Sequence, residues 1–109
     1  MPTTTITTDA PVATLINVFT VRPENQRELA DALTRATEEV MQHIPGFVAA
    51  NIHLSADGER VVNYAQWDSE DSFKAMFTNP AAKEHMKAAA DLAESFDPHL
   101  YTVASVHHA

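Results

Sequence analysis

The sequence predicts an α+β fold with the element order β-α-β-β-α-β, and three observations carry the prediction. Ala13 to Val21 and Arg60 to Trp67 each alternate with a period of two. Between them, Leu29, Ala32, Leu33, Ala36 and Val40 recur at helical spacing. Asp57-Gly58, a tight-turn pair, joins two alternating runs into a hairpin. A chain of 109 residues holds one core of this kind and not two.

Each element has its own justification. Ala13 to Val21 puts Leu15, Asn17, Phe19 and Val21 on one face and Ile16 and Val18 on the other, so both faces require cover. Pro23 to His43 is expected as the first helix, with acidic residues early and Pro45-Gly46 ending it. Phe47 to Leu54 and Arg60 to Trp67 form the hairpin. Asp68 or Ser69 caps a second helical stretch through Phe73, Met76 and Phe77, which breaks at Asn79-Pro80 and resumes from Ala81 to Phe96. Asp97-Pro98 resets the chain, and His99 to Val106 alternates as a fourth strand. Right-handed crossovers make the first and third strands the central pair of a ferredoxin-like βαββαβ antiparallel sheet.

Composition narrows the function. A net charge of −8 and a pI near 5.0 argue against a nucleic-acid partner, for which a basic stripe is expected. The chain has no cysteine, which removes disulfides, thiolate metal sites and cysteine nucleophiles and suits a cytoplasmic protein. No apolar run approaches membrane-spanning length. Residues 1–11, with neither a basic nor an apolar leader region, read as a short disordered lead, and residues 12–109 as a single domain.

The most informative stretch is R-V-V-N-Y-A-Q-W, Arg60 to Trp67. Alternation places Val61, Asn63, Ala65 and Trp67 on one face, so a carboxamide and the only indole share a wall with small aliphatic groups. An interior carboxamide without hydrogen-bond partners costs roughly 1–3 kcal/mol, so this wall is expected to face a pocket. Asn17 on the adjacent strand joins it. Leu15, Phe19, Val61 and Ala65 on the strands, with Phe73, Met76, Phe77 and Met86 on the helices, are the expected apolar walls for a flat aromatic ligand. The opposite face, with Ile16, Val18, Val62 and Tyr64, has no helix left to cover it, and a second copy of the sheet is expected there, giving a homodimer.

The run P-G-F-V at Pro45 to Val48, the Asp57-Gly58 hairpin and V-V-N-Y-A-Q-W-D-S-E at Val61 to Glu70 resemble the antibiotic biosynthesis monooxygenase family, most of all its cofactor-independent anthrone oxygenases. The resemblance implies a dimeric α+β barrel with one pocket per subunit. It implies a reaction between an aromatic polyketide and O2 that gives a quinone with no cofactor and no metal. It also implies roles for Asn17, Asn63 and Trp67 in handling substrate and oxygen. Phe73 stands where a relative carries an aromatic hydroxyl, and Met86, or neighbouring His85, where that relative carries a helical arginine.

Triplet oxygen reacts slowly with closed-shell molecules, but an electron-rich enolate can pass it one electron and then combine to a peroxide. The protein must supply a dry cavity, donors aimed at developing negative oxygen, and a group that moves protons. Asn63, Trp67 and Asn17 are the candidate donors. Of the six histidines only His85, on the apolar side of the last helix with Ala82, Met86 and Ala89, is a candidate proton mover; a boundary position half in solvent is its other reading. His43, His53, His99, His107 and His108 are expected at the surface. Two alternatives stay open: a non-oxygenase small-molecule binder or stress-response dimer of the same fold, and a heme-degrading monooxygenase using Asn17 and His85, in which Met76 stands where those enzymes carry a tryptophan.

Overall fold

The computed structural model describes all residues, Met1–Ala109. Strand β1 spans Ala13–Thr20, helix α1 Gln26–Glu39, strands β2 and β3 Phe47–Leu54 and Arg60–Trp67, helices α2 and α3 Glu70–Met76 and Pro80–Leu92, and strand β4 Ser95–Tyr101. The four strands form one antiparallel sheet in the order β2-β3-β1-β4, so β1 and β3 are the central pair, as the ferredoxin-like order requires. The helices cover the face that carries Leu15, Phe19, Val61, Ala65 and Trp67, all of which are buried.

Local chemistry sets the boundaries. A 3-10 turn at Pro23–Asn25 precedes α1 and a second, Met41–His43, follows it, so the expected Pro23 to His43 helix is shorter at both ends. Gly46, at φ +93, lies at a close approach where any Cβ would collide with Ser72 and Asp68, and its carbonyl accepts from the Asp68 N–H at 2.7 Å. That contact seats α2 against the start of β2. Ser69 caps α2 by accepting from the Ser72 N–H at 3.0 Å, and Asn79 caps α3 by accepting from the Ala82 N–H at 3.0 Å, with Pro80 in the first helical position.

The C-terminal elements differ from expectation. Helix α3 ends at Leu92 rather than Phe96, and β4 occupies Ser95–Tyr101 rather than His99 to Val106. Pro98, which the sequence pattern marks as a break, sits inside this strand opposite Asn17. The physical reason is that β4 is an edge strand, where a residue without an N–H can turn that side away from the ladder.

On the opposite face of the sheet, Ile16, Val18, Val62 and Tyr64 are half-buried and no helix lies over them. The residues before Ala13 form no helix or strand. They meet this face through two hydrogen bonds: Thr4 Oγ1 donates to Asn51 Oδ1 at 2.7 Å, and Gln66 Nε2 donates to the Thr5 carbonyl at 2.9 Å.

Candidate active site

Between the sheet and the helices lies a cavity of about 300 Å³. Strands β1 and β3 supply Leu15, Asn17, Phe19, Asn63, Ala65 and Trp67 as its floor, and Phe47 and Ala50 extend it onto β2. Helix α1 contributes Leu33, Ala36 and Thr37, and α3 contributes His85, Met86, Ala89 and Ala90. Phe73, Met76 and Phe77 close the end beside the indole, while Phe96 and Pro98 line the β4 side. Phe77 is 43% exposed and Phe96 54% exposed although both line the cavity, which marks where it meets solvent.

The structure brings together every site residue expected from the sequence except Val61. Val61 is 0% exposed and packs in a solid cluster with Phe19, Val21, Leu29, Ala30 and Ala89, so it supports the floor from within and has no surface to offer a ligand. Sequence reasoning missed the α1 and β2 contributions, together with Phe96 and Pro98. Leu33 and Ala36 lay on the recognised apolar stripe of the first helix, which is the signal that points to them; Phe96 and Pro98 were hidden by the misplaced last strand.

Polar groups are few in this apolar wall, and their state is informative. Asn17 and Asn63 are directly opposed in the β1–β3 ladder, where Cα atoms stand about 4.5–5.5 Å apart. The Oδ1 atoms of both are buried with no hydrogen-bond partner. Asn51, one strand over and facing the other way, makes the contrast: its Nδ2 donates to the Tyr64 carbonyl at 3.1 Å while its Oδ1 accepts from Thr4. Buried polar groups in native proteins are overwhelmingly paired, so two carboxamides with unpartnered oxygens, side by side on the cavity wall, single out this stretch as the candidate site. Thr37 uses its hydroxyl to donate to the Leu33 carbonyl at 2.8 Å.

Trp67 is 2% exposed and held by edge-on rings on two sides, Phe47 at 5.5 Å and Phe73 at 6.4 Å between centroids; Phe77 stacks edge-on behind Phe73 at 5.2 Å. Four residues of extended chain, about 13 Å, separate Trp67 from Asn63 along β3. The cavity therefore has an amide end and an aromatic end. His85 lines the wall between α1 and α3 with its side chain 27% exposed, so it is at once a pocket and a boundary residue. No three side chains among His, Asp and Glu gather as a metal ligand set.

A four-stranded ferredoxin-like sheet roofed by helices over an apolar pocket with unpaired amides defines a small-molecule site of the α+β pocket class. The chain belongs to the antibiotic biosynthesis monooxygenase family, whose pattern spans residues 13–88. It is 54% identical over 81 residues to tetracenomycin-F1 monooxygenase of Streptomyces glaucescens, covering 74% of this chain and 72% of that protein. Among solved structures it resembles the monooxygenase ActVA-Orf6 of Streptomyces coelicolor, solved with nanaomycin D, with a TM-score of 0.80, 29% identity, and coverage of 89% of this chain and 91% of that one. It also resembles SnoaB, a cofactor-independent oxygenase of Streptomyces nogalater, with a TM-score of 0.77, 25% identity, and coverage of 89% and 97%. No helix of the structure is long and apolar enough to cross a membrane.

Proposed function

We propose that the protein is a cofactor-independent monooxygenase that uses O2 to convert an anthrone-type aromatic polyketide to a quinone. The observation that carries it is the pair of unpartnered carboxamides, Asn17 and Asn63, in an apolar cavity that ends on Trp67. Kinship with a tetracenomycin-F1 monooxygenase and with a cofactor-independent oxygenase supports the reaction type.

The chemistry balances within the substrate and O2 alone. A ring methylene loses a proton to give an electron-rich enolate, which passes one electron to O2. The two radicals combine at that carbon as a peroxide. Loss of the second C–H proton with cleavage of the O–O bond leaves a carbonyl and releases water. The carbon loses four electrons and O2 gains four, so no outside reductant enters.

The protein's part is electrostatic. The apolar walls exclude water, which strengthens every hydrogen bond to developing charge. The side-chain amides of Asn17 and Asn63 offer N–H donors to the enolate or peroxide oxygen, and the Trp67 N–H serves the other end of the fused rings. The same polar spacing orients a long, flat ligand along β3. We also propose a homodimer acting in the cytoplasm and joined through the Ile16, Val18, Val62 and Tyr64 face. The partly exposed Ile16, Val18 and Val62, with no helix over them, support it.

The test is oxygen uptake with an anthrone under ¹⁸O2, using chelator-treated, flavin-free protein. One O2 consumed per quinone, with one label in the new carbonyl and the other in water, is the expected result. Binding of the anthrone with uptake no faster than its autoxidation would instead leave a binding protein of the same fold.

A further inference from the structure

We propose that Glu39, the last residue of α1, is a positioning residue that holds the His85 ring as the proton-moving base of the pocket. The proposal rests on the oxygenase chemistry above and adds to it the one element that chemistry lacked, a base with a fixed orientation. Glu39 Oε2 lies 3.5 Å from His85 Nε2, across the contact between α1 and α3. The imidazole thus has a carboxylate on its outer side and the cavity on its inner side. The contact is at ion-pair distance rather than an aligned hydrogen bond, and a carboxylate beside Nε2 favours the proton on that nitrogen, which leaves the lone pair on Nδ1.

Two features argue that the pair serves orientation rather than stability. Its side chains are 60% and 27% exposed, and ion pairs with one partner so open to solvent contribute little to folding. Moreover, a carboxylate at a helix C-terminus opposes the helix dipole, and the last turn of α1 holds no basic residue to offset it. Helix stability alone gives no reason for a glutamate here.

In the proposed reaction, Nδ1 of His85 takes a proton from the substrate methylene or its enol hydroxyl, leaving the electron pair on the substrate as the enolate. The imidazolium returns that proton to the peroxide anion, and the freed imidazole then takes the second C–H proton as the O–O bond breaks and passes it to the departing hydroxide, completing water. Glu39 touches neither substrate nor oxygen; it keeps the ring turned and stabilises the imidazolium while it exists.

Oxygen uptake by Glu39→Gln, Glu39→Asp, His85→Ala and the double variant, with an anthrone as substrate, tests this. His85→Ala is expected to lower kcat about 10²-fold and Glu39→Gln about tenfold, each with little change in KM. Glu39→Asp should recover part of the loss, and Glu39→Gln should cost nothing further once His85 is alanine. An independent readout comes from the three-bond couplings of the His85 side chain. They should report one rotamer in the parent and averaging in Glu39→Gln, with unchanged melting. A parent that oxidises anthrone beside a Glu39→Gln variant of equal kcat overturns the role of Glu39 and leaves the oxygenase chemistry standing. So does a loss in Glu39→Gln that persists undiminished without His85. A parent with no oxidation at all overturns both.

Discussion

Two ends of the same layer, between the sheet and the helices, are built in opposite ways. At one end Phe19, Val21, Leu29, Ala30, Val61 and Ala89 form a solid cluster in which Leu29 and Val61 are 0% exposed. At the other, Trp67, Met76 and Ala82 form a second buried cluster with Phe47, Phe73 and Met86, of which all but Ala82 also line the cavity. Val61, Asn63, Ala65 and Trp67 share one strand face, so the difference lies in what stands across from them. Leu29 belongs to the cluster that encloses Val61, while the cavity that Asn63 and Ala65 line includes four small residues among its walls, Ala36, Ala50, Ala89 and Ala90. The alanines leave room for the pocket, and the two carboxamide oxygens opposed in the ladder find no partner within the chain.

That contrast can be broken from either side. The largest effect is expected in the solid end: Leu29→Ala should lower the free energy of unfolding by about 2–5 kcal/mol, read by urea denaturation, while folded molecules keep their turnover. The amide end should answer the other way. Asn63→Ala is expected to lower kcat by about 10²–10³, roughly 2.7–4 kcal/mol of transition-state stabilisation, with no loss of melting temperature, because it removes a buried acceptor that has no partner in the free protein. Refilling the hollow sharpens the comparison further. Ala65→Leu should raise KM at least about tenfold, near 1.4 kcal/mol of binding, with a smaller change in melting than Leu29→Ala produces.

The smallest effect lies outside both ends, in the β2–β3 turn. The Ser55 hydroxyl, donating at 2.6 Å, the Glu59 N–H and Arg60 together hold the Asp57 carboxyl below its ordinary value of 3.8. A depressed value in the folded state stabilises the protein above the ordinary value and loses that contribution as pH falls through the lowered one. Asp57→Asn should therefore be slightly less stable than the parent at neutral pH, and the gap should close under acid, as followed by urea midpoints across pH.

Much of this was legible in the sequence because it depends on local period. The face of Arg60 to Trp67 and the placing of Asn17 and Asn63 on adjacent strands follow from alternation and from the β-α-β-β-α-β order, while their direct pairing is a matter of register that the structure adds. What was not legible depends on distant partners. Val61 and Ala65 read alike on the strand, and only Leu29 and Ala30, from another element, make the first a core residue and leave the second on the cavity. The position of β4 was hidden by Pro98, which breaks a central strand but not an edge one. His85 read as pocket or boundary, and the structure makes it both, since Glu39 reaches it from a helix whose packing against α3 no local pattern reveals.

The most direct test of the central claim, that the hollow end is the active site, is the initial rate of oxygen uptake by Trp67→Phe at saturating anthrone. The substitution keeps an aromatic ring between Phe47 and Phe73 and removes the N–H together with part of the indole's bulk. A fall of about 10²–10³ in rate, with a folded protein whose melting drops by less than that of Leu29→Ala, is the expected result. A Trp67→Phe protein that consumes oxygen at the parent rate would contradict it.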